Sequence, residues 1–178
     1  MADIQTLEIE RPLGPPAIVK LSGYEFYKSL GSPQAVVAPM VDASELAWRI
    51  LSRLHGADLV YTPMINAHIF TPDNKTYLHE QFDLVAKEEG DAKIDRPLIA
   101  QFCSNDKEQF LTAAMHLAEK GVCDAVDLNL GCPQGIAKRG KYGAFLMEDW
   151  ALIESLSESA SLAEEHELTS KAEFITCM

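Results

Sequence analysis

The run Asp127-Leu128-Asn129-Leu130-Gly131-Cys132-Pro133 ends what reads as a buried strand on a Gly-Cys-Pro turn. Gly131 permits close backbone approach to a flat ligand, and Pro133 fixes the turn, so Cys132 is held at a rim instead of inside a core. A thiol with an ordinary pKa near ~8.5 is mostly protonated at neutral pH and can act as an acid without special tuning. A cysteine at a strand end is more often packing than catalysis, because free cysteine is commonly buried. The turn chemistry beside the strand-end Asn129 weighs against that reading for Cys132. Cys103 and Cys123 have no such setting and read as structural. Gln101, near another strand end, reads equally well as a ligand-facing amide or as a polar residue bonding its neighbours. His68 and His79 follow the second strand in a region that reads as solvated loop. With no Cys-x-x-Cys pair and no His-Glu-x-x-His arrangement, no metal site is expected.

These residues need elements to position them, and the chain supplies a regular alternation. Ala35-Val36-Val37-Ala38 is a short run halted by Pro39, as expected of a buried parallel strand. Asp42 or Ser44 is placed to cap a helix from Glu45 to Leu54, whose Leu46, Ala47, Ile50, Leu51 and Leu54 recur at helical spacing, with Gly56 at its end. Asp58–Tyr61 is a second strand and Pro97–Phe102 a third. Asn105 or Asp106 caps a helix from Lys107 to Glu119, closed by Lys120-Gly121. Ala125–Asn129 is a fourth strand, and a helix is expected around Asp149 to Leu156. Strand and helix at this rhythm mean α/β with parallel pairing and right-handed crossovers. No Gly-x-Gly-x-x-Gly follows the first strand, so a TIM-type (β/α) barrel leads over a dinucleotide-binding sheet. In a barrel of this kind the strand ends at Pro39-Met40, Thr62–Asn66, Gln101 and Asn129–Pro133 share one mouth.

Composition sets the outer bounds. The chain has 178 residues, 47% of them hydrophobic, and a mean hydropathy of −0.05. No apolar run approaches the ~18 residues of a membrane span, and the polar, acidic start lacks a signal-peptide pattern. Cytoplasmic or nuclear placement with reduced thiols is expected. A net charge of −12 disfavours indiscriminate nucleic-acid binding. The charge is uneven, however. Six glutamates from Ala151 onward face Lys171 alone, while Lys138, Arg139 and Lys141 cluster after the cysteine turn. That trio is either a local anion-facing loop or an ordinary solvated one.

Several segments, in order and spacing, resemble one family. Val37-Ala38-Pro39-Met40-Val41, Tyr61-Thr62-Pro63-Met64-Ile65, Pro97–Phe102 and Asp127–Gln134 are similar to tRNA-dihydrouridine synthases. Ala137-Lys138-Arg139-Gly140-Lys141-Tyr142-Gly143-Ala144-Phe145-Leu146-Met147 resembles the eukaryotic tRNA-dihydrouridine(16/17) synthase branch. The resemblance covers about residues 24 to 150. It implies an oxidoreductase in which NADPH reduces FMN, the reduced flavin passes hydride to C6 of a D-loop uridine in tRNA, and Cys132 protonates C5. By the same matching, Pro39 and Met40 line the flavin, Gln101 hydrogen-bonds its ring and Asn129 contacts flavin or uracil. Lys138, Arg139 and Lys141 then approach tRNA phosphates. The target base must leave its stack to reach the cofactor.

The resemblance also implies more barrel than the sequence contains, since a full (β/α)₈ barrel takes roughly 250 residues. No run rich in Val or Ile follows residue 150 where a fifth buried strand is due. The expected organisation is an N-terminal arm at 1–33, the first half of an FMN-binding barrel at 34–150, and an atypical acidic tail at 151–178. The barrel is expected to stop after about four strand–helix units, leaving open edges through which the chain could self-associate. The competing function is a catalytically inactive fragment acting at most as an RNA-binding or dimerising remnant.

Overall fold

The computed structural model describes residues 21, 23–82, 94–162 and 173–177. Its strands are β1 (Val36–Val37), β2 (Leu59–Tyr61), β3 (Ile65–Asn66), β4 (Leu98–Cys103), β5 (Ala125–Asn129) and β6 (Glu173–Cys177). Its helices are α1 (Gly23–Ser29), α2 (Leu46–Leu54), α3 (Lys75–Phe82), α4 (Lys107–Lys120), α5 (Gly135–Gly140) and α6 (Trp150–Leu162). The strands form one parallel sheet in the order β1-β2-β4-β5-β6, with β3 paired to the far end of β4. Strands that follow one another in the chain thus lie side by side, as successive β/α units require.

Alternation along the strands sorts the side chains into two faces. Val60, Leu98, Ala100, Phe102, Val126 and Leu128 join the helix-side core with Phe110, Leu117 and Leu156. Leu59, Tyr61, Ile99 and Ala125 point to the opposite face, where Phe26 of α1 covers them together with Leu21 and Leu30. Burying a phenylalanine this way contributes about 1.5–3 kcal/mol. Part of the segment read as a lead-in arm therefore closes the apolar end of the inner face, while residues 1–20 of that arm lie outside the described residues. Farther along the same face stand Gln101, Asp127 and Asn129.

The α4 boundaries follow the sequence signals. The Asp106 carboxylate accepts from the Gln109 N–H at 3.0 Å, and Gly121 adopts the left-handed conformation at the other end. Several other expectations need correction. A fifth path strand does form: β6 pairs in parallel with β5 from Ala125↔Glu173 to Asn129↔Cys177. The short Phe174-Ile175-Thr176-Cys177 run suffices for pairing despite the glutamate- and serine-rich text before it. Neither Asp42 nor Ser44 caps α2. Glu45 occupies its N-cap without a side-chain bond, and the Ser44 hydroxyl donates to the Met40 carbonyl and accepts from the Met40 N–H, both at 2.9 Å. The apolar row on α2 is largely outward: Leu51 and Leu54 are exposed, and the helix buries Leu46 and Arg49. Arg49 is tolerated inside because its Nε donates to Asp95 at 2.7 Å and its Nη1 to the Ser44 carbonyl at 2.8 Å. Finally, the region after β2 is ordered as β3 and α3, so exposed His79 sits on a helix and only exposed His68 on a turn.

Candidate active site

Register places Gln101 of β4 opposite Asp127 of β5. The Gln101 Nε2 donates to Asp127 Oδ2 at 2.7 Å, and its Oε1 accepts from Asn129 Nδ2 at 3.2 Å. The Asn129 Oδ1 then accepts from the N–H groups of Gly131 at 3.2 Å and Cys132 at 2.9 Å, closing the turn with its own side chain. On the other flank, the Gln101 N–H donates to the Thr62 hydroxyl at 3.1 Å, which itself donates to the Pro63 carbonyl at 2.9 Å. Thr62 thereby ties the β2 end to the same layer.

Gln101, Asn129 and Cys132 are thus joined by a continuous set of bonds at the C-terminal ends of β4 and β5. Cys132 is half-buried, and a Cβ placed on Gly131 would meet nothing within 4 Å, so the turn faces open space. Pro39 and Met40, at the end of β1 and half-buried, lie two strands away from β4; Met40 is anchored to Ser44 instead of to the amide pair. Lys138 and Arg139 project from α5, directly after the turn, and Lys141 caps that helix in a left-handed conformation at φ 53°. All three are exposed and form no ion pair with other described residues.

Sequence reading missed three residues that build this site. Asp127 is fully buried beneath the two amides; its signal was an acidic residue in the middle of an otherwise apolar strand. Gly143, at φ 64°, packs so closely that a Cβ there would lie 2.6 Å from the Cys132 carbonyl oxygen and 3.0 Å from its Cβ. Tyr142 lies beside the Cys103 thiol and the turn. Its own pKa is raised, first by burial and then by the neighbouring Cys103 and Cys132.

Two outcomes follow. Gly143→Ala forces a left-handed alanine, which alone costs about 1–2 kcal/mol, and the clash falls on backbone that cannot swing away. A lower melting temperature and altered alkylation of Cys132 are expected together. The second outcome concerns the buried thiols. Burial pushes Cys103 and Cys123 from 9.0 up to about 12. In native protein at pH 8, iodoacetamide followed by peptide mass spectrometry should mark Cys132 and spare both. Because their folded pKa values are raised, these thiols contribute stability that is whole below pH 9 and is lost as pH climbs through about 12. Urea midpoints should fall across that alkaline window.

The model of the dihydrouridine synthase (Dus) family matches residues 36–173. The chain belongs to this family. The family's fold is the TIM-type barrel, and the parallel β/α sheet is part of one. The match runs well past Trp150, so the likeness does not stop where the sequence reading ended it. The tRNA-dihydrouridine(16/17) synthase [NAD(P)(+)] of Saccharomyces cerevisiae is 53% identical over 137 residues, covering 77% of this chain and 31% of the yeast protein. The corresponding "-like" protein of Rattus norvegicus is 54% identical over 138 residues, covering 77% of this chain and 30% of the rat one. A human tRNA-dihydrouridine(20a/20b) synthase-like protein is 37% identical over 121 residues, covering 68% of this chain and 35% of its own. The chain therefore spans about a third of the length of these relatives and is most like the 16/17 branch among them.

Proposed function

We infer that this dihydrouridine synthase segment carries the flavin- and uridine-facing wall of a tRNA-dihydrouridine(16/17) synthase. One observation carries the reading: the Asn129 side chain links the buried Gln101 amide to the Cys132 backbone, so that half-buried Asn129 and Cys132 stand over Gln101 in one bonded set. The donor set fits FMN. Neutral amides suit the ring's mixed nitrogen and oxygen edge, and the open space before Gly131 admits a flat group. Gln101 would hold the ring, Asn129 would contact ring or uracil, and Pro39 and Met40 would line its side. When bound and reduced by NADPH, FMN supplies the hydride for uridine C6.

The chain's own residues do the rest. Cys132 presents its thiol proton to C5, so that hydride and proton together saturate the C5=C6 bond. Asn129 holds the two N–H groups of the turn and keeps that thiol at the rim. Lys138, Arg139 and Lys141, on the element that follows, would neutralise tRNA phosphates and bring the extruded base toward the mouth. Half-open parallel sheets present unpaired edges, so pairing of the chain with itself or with further barrel strands is part of the reading.

Titrating FMN into the protein and following flavin fluorescence tests this directly. Saturable binding that Gln101→Ala weakens is the expected result. Retention of tRNA without any saturable FMN binding would sink the reading in favour of an RNA-binding remnant, which the one-third coverage of the relatives makes the natural rival.

A further inference from the structure

The bonds that end at Cys132 run back through two amides to Asp127, and with Asp127 accepting from Gln101 their direction is fixed. An ionised carboxylate only accepts, whereas a primary amide has one donating and one accepting end. Asp127, fully buried, accepts from the Nε2 end of Gln101 at 2.7 Å. That turns the Gln101 Oε1 toward Asn129, which must offer Nδ2, found at 3.2 Å. Only Oδ1 of Asn129 is then left for the Gly131 and Cys132 N–H groups, at 3.2 and 2.9 Å. With an amide in place of the carboxylate either end can face Gln101, and only the two turn N–H groups still favour the observed polarity. The reversed one aims an NH₂ at two backbone N–H groups and leaves them without an acceptor.

We propose that Asp127 is a positioning residue whose buried carboxylate sets the polarity of the Gln101–Asn129 amide pair and thereby fixes the turn that carries Cys132. Its meaning for catalysis rests on the proposed function, because the same polarity decides which amide atoms remain to face a ligand. The relay itself is a property of the folded chain and is testable without cofactor or tRNA.

Amide hydrogen exchange followed by NMR reads the turn residue by residue. In Asp127→Asn, which keeps the side-chain shape, exchange at Gly131 and Cys132 is expected to speed up about tenfold, the worth of one hydrogen bond. The β4–β5 ladder amides should keep their protection. The double variant Gln101→Glu/Asp127→Asn moves the carboxylate across the pair. The carboxylate at position 101 accepts from the amide at position 127 and from Asn129 Nδ2, so Asn129 keeps its orientation and protection at Gly131 and Cys132 should return. Unchanged exchange at these two residues in Asp127→Asn overturns the proposal, and so does a loss spread evenly over the ladder. A double variant as unprotected as the single one overturns it too. Should Asp127→Asn not fold, the double variant decides alone, with protection at Gly131 and Cys132 supporting the relay and its loss refuting it. Failure of FMN to bind would strike the flavin reading and leave this result standing.

Discussion

Cys132→Ala is expected to lower dihydrouridine formation by about 10²–10⁴-fold, the usual contribution of a positioned general acid. The measurement is mass spectrometry of dihydrouridine in tRNA, made on a polypeptide that contains this segment and turns over tRNA. Under the proposed function the loss should fall on kcat, because the thiol proton would be needed only as C5 gains its bond. FMN affinity should hold, since the turn's bonds to Asn129 run through the Cys132 backbone and survive the substitution. Cys132→Ser is a sharper comparison. A hydroxyl keeps the shape but is a far weaker acid, so it should restore little activity. Near-normal product from Cys132→Ala would place the acid on another residue.

The largest loss of stability is expected from Asp95→Ala. This carboxylate is fully buried and receives Arg49 Nε at 2.7 Å and Arg53 Nη2 at 3.2 Å. Arg53 Nη2 also donates to the Pro97 carbonyl at 2.7 Å, so the cluster binds α2 to the entry of β4. Removing the carboxylate breaks the buried ion pair at Arg49 Nε, which costs about 3–5 kcal/mol. For a chain of this size that is a fall in melting temperature on the order of 10 °C. Arg53→Ala should cost less, because that side chain keeps 14% of its surface in water. Equal losses from the two substitutions would mean that the cluster is no better than a surface ion pair.

That cluster also shows where sequence reasoning runs out. The α2 helix was readable from its spacing, but its inward face was assigned to apolar residues. Arg49 goes inward toward Asp95, which waits 46 positions later, a partner no local pattern reveals. The α4 helix lies at the other extreme. Its limits are written in Asp106 and Gly121, whose effects are local, and the fold reproduces both. The β3 strand is two residues long and set off by Pro63, too short for any periodicity to register. The β6 strand follows polar text and gains its place from pairing with β5, a long-range effect.

The site was legible to a similar degree. Gln101, Asn129 and Cys132 announce themselves as polar or reactive residues at strand ends, and the fold connects them. Asp127 was within reach, since an acid two residues before Asn129 must share its face of the strand. Gly143 was not, because its close approach to Cys132 depends on how the α5 segment folds back.

The connected residues Gln101, Asp127, Asn129 and Cys132 all belong to one β–α–β unit, β4-α4-β5, and its exit turn. That unit closes by a short chain path and needs few distant contacts, so it is suited to be the nucleus on which the remaining strands condense. Substitutions at the β4–β5 contact should then slow folding, whereas those in β1 or α2 should mainly hasten unfolding. The alignment of the thiol with its two amides would in that case be settled early, before the periphery of the sheet has found its place.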